Sequence, residues 1–257
     1  MTASAPRLEI VALEGVPDIS EGDDLCGIVL DAYRTSGLAP APGDILVVAQ
    51  KIVSKAEGRR VDLASVSPSP EAERLAAETE KDARVIELIL SEAEEVMRAR
   101  PGLIVVRHRL GYVLANAGID ASNVEEGGDE RVLLLPLDPD RSAASLRAGI
   151  ERRTGIAIGI VIGDSLGRAW RLGTTGTALG AAGVSALVDL RGTPDMFGRP
   201  LTVSEVGLAD QIASAAALAM GEAGERRPIA LVRGLAADSD ESRAADLIRP
   251  REFDLFR

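Results

Sequence analysis

The run Ile156-Ala157-Ile158-Gly159-Ile160-Val161-Ile162 passes without a break into Gly163-Asp164-Ser165-Leu166-Gly167-Arg168-Ala169-Trp170-Arg171. A run this short and this rich in isoleucine and valine is strand-like and falls far below the ~18 residues of a membrane span. It therefore ends a strand inside a folded domain and sets a carboxylate and a hydroxyl, Asp164 and Ser165, at that strand's edge. Two guanidinium groups, Arg168 and Arg171, follow within one turn. Such a set is suited to metal-bound phosphate.

The remaining pattern predicts strands over residues 8–13, 45–49, 103–106, 132–135, 185–190 and 201–206. Apolar residues at helical spacing predict helices over 71–81, 82–98 (through Val85, Leu88, Ile89, Ala93, Val96 and Met97), 141–153 and around 209–219. Strands and helices alternate irregularly, so the expected class is α+β, with mixed sheets and helices. At 257 residues and 46% hydrophobic content, the chain can form one large domain or two lobes without a visible boundary. Residues 40–43 and 65–70 read as ordinary loops. There is no Gly-x-x-x-x-Gly-Lys-Ser/Thr phosphate loop. The stretch Gly173-Thr174-Thr175-Gly176-Thr177-Ala178-Leu179-Gly180 is also out of register for a dinucleotide-binding turn. Neither a P-loop nor a Rossmann fold is expected, and the glycine-threonine stretch is either small-residue packing or a backbone anion cradle.

Two more segments carry chemistry. Asn116-Ala117-Gly118-Ile119-Asp120-Ala121-Ser122-Asn123 follows the strand-like Tyr112-Val113-Leu114, and its glycine gives the backbone freedom to turn Asp120 and Asn123 toward a ligand. A hard divalent cation is one such ligand; an Asx-rich loop bonding its own backbone is the other reading. Glu222, in Met220-Gly221-Glu222-Ala223-Gly224-Glu225-Arg226-Arg227, follows the predicted helix and is either a ligand or a solvated residue after a glycine C-cap. The single histidine, His108, is read as structural or exposed, and Cys26 as a small buried hydrophobe.

A formal net charge of −11 and very few aromatic residues exclude a nucleic-acid partner, which needs a basic track and stacking surfaces. An anionic ligand must then be held by local positive charge: cations on the acidic residues, with Lys55, Arg59, Arg168 and Arg171. One cysteine allows no intrachain disulfide, and no charged-then-apolar leader is visible. A cytoplasmic protein with no membrane partner is expected.

Together with Val53-Ser54-Lys55-Ala56-Glu57-Gly58-Arg59, these segments stand in the order and spacing of the coenzyme F420-0:L-glutamate ligase family. The chain resembles that family from about residue 8 to 235, including Glu14-Gly15-Val16-Pro17, Glu21-Gly22-Asp23-Asp24-Leu25, Leu135-Pro136-Leu137-Asp138-Pro139-Asp140 and Val232-Arg233-Gly234. No single motif among them is specific; the joint match is. The resemblance implies a homodimeric ligase in which GTP activates a carboxylate of the F420 precursor as an acyl phosphate, which the amino group of L-glutamate then displaces. It implies one or two Mg2+ or Mn2+ ions on Asp120, Asp164, Ser165 and Glu222, with room for a monovalent cation. Nucleotide contacts are implied for Lys55 and Asn123, for Val16, Pro17, Asp18 and Ile19, and for the loop Met220, Gly221, Ala223, Gly224, Glu225, Arg226 and Arg227.

The chain departs from the pattern at Gln50 and Lys51, where small hydroxyl residues are common in the family. Lys51 can give a phosphate a contact that a hydroxyl cannot. The alternative reading is a metal-dependent nucleotide-binding module that lacks ligase turnover.

Overall fold

The computed structural model describes residues 5–120, 130–235 and 242–254. Along the chain, β1 (Glu9–Ala12) is followed by α1 (Leu25–Thr35), β2 (Ile45–Ala49), α2 (Gln50–Ala56) and β3 (Arg60–Asp62). Next come α3 (Pro70–Thr79), α4 (Ala83–Glu92), β4 (Ala93–Arg100), β5 (Leu103–His108), β6 (Val113–Ala115) and β7 (Arg131–Leu133). The chain continues through α5 (Pro139–Thr154), β8 (Gly159–Gly167), β9 (Thr174–Ala182), β10 (Leu187–Asp189), β11 (Glu205–Gly207), α6 (Leu208–Met220) and β12 (Ile229–Arg233).

A five-stranded mixed sheet in the order β1-β12-β2-β8-β9 forms the centre, and β2 and β8 are its parallel pair. These two strands read as continuous apolar runs because helices cover both faces of the sheet. Leu46, Val48, Ile160 and Ile162 pack with Val29 and Tyr33 of α1 and Leu146 and Ile150 of α5. Ile45, Val47 and Val161 face the other way, onto Ile212, Ala213 and Ala216 of α6. The fold is α+β, as the sequence predicts.

The glycine-threonine stretch is β9, and its glycines serve close packing. A Cβ on Gly176 would lie 2.4 Å from the Ala213 carbonyl oxygen, and one on Gly180 would lie 2.3 Å from that of Pro139. Those clearances let α6 and α5 approach the strand at backbone distance. At these two glycines the small-residue packing reading holds.

A second sheet, β4-β5-β6, carries α3 and α4 on one face through Leu75, Ile86, Ile89, Ile104 and Val106. Here the expected helix over 82–98 is corrected: α4 ends at Glu92 and β4 starts at Ala93. Register shifts between Ala93 and Glu95 and between Val96 and Arg98 break the strict alternation that marks a strand. The apolar residues Ala93, Val96 and Met97 consequently fell at helix-like spacing. Two of the other expected strands shrink, 185–190 to β10 and 201–206 to β11, and Val203 is largely exposed.

The second sheet is fastened to the rest of the chain by charge. Glu92, at the end of α4, accepts from Arg59 at 2.9 Å and from Arg109 at 3.2 Å, while the same arginines donate to the Leu135 and Leu137 carbonyls. His108, fully buried, accepts the Leu110 N–H at Nδ1 and faces Glu92 with Nε2 at 3.3 Å. The lone histidine is structural. Among the described residues, no helix is long and apolar enough to cross a membrane.

Candidate functional site

Ala49 pairs with Gly163, so the parallel strands β2 and β8 bring their outgoing chains together at one edge of the sheet. From β2 the chain turns directly into α2, where Lys51 and Lys55 lie four residues apart and thus on one face. From Gly163, β8 continues through Asp164 and Ser165. A register shift between Ile162 and Gly163 against β9 marks the change from fully buried to half-buried positions along β8.

Asp120 reaches the same place from the second sheet. Asn116, Ala117 and Gly118 all have positive φ, near 53°, 53° and 68°, in a tight turn after β6. A Cβ on Gly118 would come within 2.9 Å of the Leu135 side chain, so this turn needs its glycine twice over. Asp120 then exchanges both backbone hydrogen bonds with Leu133, at 3.0 and 2.9 Å, which fixes its main chain. The last wall is the loop after α6: Gly221 closes the helix at φ 79°, and Glu225 accepts the Ala223 N–H at 2.8 Å.

Together these elements line one cavity of about 1280 Å³. It gathers Val16, Pro17, Asp18, Ile19, Gln50, Lys51, Lys55, Asp120, Asp164 and Ser165 with the whole loop from Met220 to Arg227. Gln50 is buried, and its side-chain carbonyl accepts from the Ser54 hydroxyl at 2.9 Å. Arg60 donates to the Ile19 carbonyl at 3.4 Å, tying the 16–19 segment to β3. Asn123 lies outside the described residues. Arg168 and Arg171 are exposed on the β8–β9 turn, beyond Gly167 and Thr174, and are not part of the lining. The lining also includes small residues that sequence alone gave no reason to choose, such as Ala115, Ala213 and Ala217.

Pairwise contacts organise the charged groups. Lys51 Nζ sits 2.5 Å from Asp120 Oδ2, and Ser165 Oγ donates to Glu222 Oε2 at 2.5 Å. Asp164 accepts its neighbour's backbone N–H, from Ser165 at 2.9 Å. Burial pushes its carboxyl up to about 6; the Ser165 N–H and Lys51 pull it down, and Asp120 and Glu222 push it up. Among the described residues, no three His, Cys, Asp or Glu side chains are clustered closely enough to hold one ion between them. The carboxylates instead share a cavity while two of them are engaged by Lys51 and Ser165.

The donor set suits a hard divalent cation: three carboxylates and a hydroxyl, all oxygen, with no sulfur or imidazole. Its charge also calls for one. Asp164 is held in a poorly solvated position beside two further carboxylates that raise its proton affinity, a cost that a cation removes.

A sequence model described as F420-0:gamma-glutamyl ligase matches residues 15–234. The coenzyme F420:L-glutamate ligase of Methanothermobacter thermautotrophicus is 40% identical over 255 residues, covering 97% of this chain and 99% of the relative. Proteins of the same name from Methanopyrus kandleri and Archaeoglobus fulgidus are 42% and 43% identical, each covering 98% of this chain and 97% of the relative.

Proposed function

Given that the chain belongs to the F420-0:gamma-glutamyl ligase family, we propose that it is a GTP-dependent ligase joining L-glutamate to the F420-0 precursor. One observation carries the reading: a single cavity is lined by Lys51 and Lys55 together with Asp120, Asp164, Ser165 and Glu222. Lysines supply point charges for phosphate; the oxygen set supplies cation ligands.

In this reading, a carboxylate oxygen of the precursor attacks the γ-phosphorus of GTP, GDP leaves, and an acyl phosphate remains. The amino nitrogen of L-glutamate then attacks the acyl carbon; phosphate departs with the bonding pair, and the amine loses a proton to solvent. Lys55 and Lys51 hold the phosphates, and the 16–19 segment and the 220–227 loop border the rest of the nucleotide. Asn123 belongs with them as a nucleotide contact. Asp120, Asp164, Ser165 and Glu222 would hold Mg2+ or Mn2+, which supplies neutralisation of the charge that develops on the transferred phosphoryl group. The protein's own share is positioning: the precursor's carboxylate and the γ-phosphate must meet in line, and rigid strand ends give that geometry. Arg168 and Arg171, on the turn beyond the cavity wall, are assigned to anionic groups of the substrates as these enter.

A homodimer is part of the same reading. Trp170 and Leu172 on one hairpin, and Met196 and Phe197 on another, leave large apolar side chains exposed that a second copy would cover. Phosphate release tests the activity: turnover of GTP only when both F420-0 and L-glutamate are present supports a ligase. Binding of GTP with no release under any combination supports the nucleotide-binding module instead.

A further inference from the structure

Lys51 and Asp120 present an asymmetry. The aspartate's main chain is held in place, because its backbone N–H and carbonyl are both bonded to Leu133. The lysine side chain, rooted on α2, is about one-third exposed. Its ammonium sits on a flexible four-carbon stem, so Lys51 is the partner with the longer reach to swing away. At 2.5 Å it occupies Asp120 Oδ2, and both residues line the cavity they share with Asp164, Ser165 and Glu222.

We infer that Lys51 is the resident counter-charge of this carboxylate set, and that a divalent cation and a polyphosphate bind cooperatively because the cation must displace Lys51 from Asp120. The inference rests on the functional reading above and adds to it an internal competitor. A doubly charged ion and an ammonium cannot share one carboxylate oxygen without strong repulsion. A displaced Lys51 has lost that ion pair, and a phosphate oxygen is the group that replaces it. Cation alone must therefore break an ion pair to enter; cation with polyphosphate breaks one and makes one. By linkage, the cation tightens polyphosphate binding by the same factor that polyphosphate tightens cation binding. Lys55, one turn further along α2, contributes phosphate affinity and is the natural contrast.

The test is a Mn2+ titration of the full chain without nucleotide, read from the electron paramagnetic resonance signal of free Mn2+. It compares wild type with Lys51→Met, Lys51→Gln and Lys51→Arg; circular dichroism verifies folding, and the two neutral variants back each other up. Both neutral variants should bind Mn2+ alone about three- to tenfold more tightly than wild type, the effect of losing one partly exposed ion pair. Lys51→Arg should stay near wild type. Adding the nonhydrolysable triphosphate guanosine 5′-(β,γ-imido)triphosphate should tighten Mn2+ binding in wild type and much less in the neutral variants. Unchanged or weaker Mn2+ binding in both neutral variants overturns the inference. If Asp164→Asn still abolishes binding in that case, the cation site itself stands. If wild type and every variant fail to bind Mn2+, both the inference and the site assignment fall.

Discussion

Ser165 Oγ donates to Glu222 Oε2 at 2.5 Å, joining β8 to the loop after α6 across 57 positions of sequence. This one contact closes the cavity between the strand that carries Asp164 and the loop assigned to the nucleotide. Removing it by Ser165→Ala should therefore act on the site more than on the fold. The pair is exposed, so the unfolding free energy should fall by no more than about 1 kcal/mol, while Mn2+ affinity and ligation rate each fall about tenfold or more. Ser165→Thr keeps the hydroxyl and should recover most of both. Equal loss in the alanine and threonine variants would show that the hydroxyl is not the operative group.

Lys55→Ala should weaken GTP binding by about tenfold, the value of one charge-assisted phosphate contact. Mn2+ binding without nucleotide should stay within about twofold, because lysine is not an oxygen ligand. Calorimetric titrations of the two ligands separate the effects; a variant that loses Mn2+ affinity and keeps GTP affinity would reverse the assignment.

Glu92 makes acid stability a readout of how the second sheet is held. Burial opposes its ionisation, but His108, Arg59 and Arg109 outweigh that and hold the carboxyl at about 2, below its ordinary 4.5. A lowered folded value contributes stability above pH 4.5, and that contribution is lost as the pH falls from there toward 2. Glu92→Gln should cost a few kcal/mol at pH 7, since it leaves two guanidinium groups short of their partner. Urea unfolding at pH 7, 5 and 3.5 should show the gap between wild type and variant narrowing as pH falls; a constant gap would remove the ion pairs from the account.

Gly176→Ala puts a methyl group 2.4 Å from the Ala213 backbone oxygen, a neighbour that cannot rotate away. The variant should lose roughly 1–3 kcal/mol, the usual cost of overpacking, and should raise the KM for GTP because α6 carries the 220–227 loop. Gly167→Ala, on the same hairpin with nothing within 4 Å of its Cβ, should leave the unfolding midpoint unchanged. Equal midpoints for both variants would contradict the packing described for β9.

How much of this was legible in the sequence follows from range. The apolar runs at 45–49 and 156–162 announced β2 and the start of β8, since strands covered on both faces need no pattern beyond burial. Asp120, Asp164, Ser165 and Glu222 could be singled out as polar groups at the ends of such runs, and all four line one cavity. The pairings were not legible. That Lys51 would meet Asp120, or Ser165 meet Glu222, depends on which strand ends lie side by side, and the parallel register of Ala49 with Gly163 is a fact of topology. The reading of β4 as helix failed because two bulges scrambled its alternation. Arg168 and Arg171 looked adjacent to the site because they follow Asp164 closely, yet an extended hairpin carries three residues about 10 Å, and both are exposed on its turn.

The central claim is the joining of L-glutamate to F420-0 at the expense of GTP, and mass spectrometry of the reaction mixture tests it most directly. With F420-0, L-glutamate, GTP and Mn2+, wild type should give a product heavier than F420-0 by one glutamate residue or more, with one GDP and one phosphate formed per glutamate added. Asp164→Asn, folded to the same degree, should give none. Tight binding of GTP and Mn2+ by the wild-type chain, with F420-0 recovered unchanged in mass, would contradict the account.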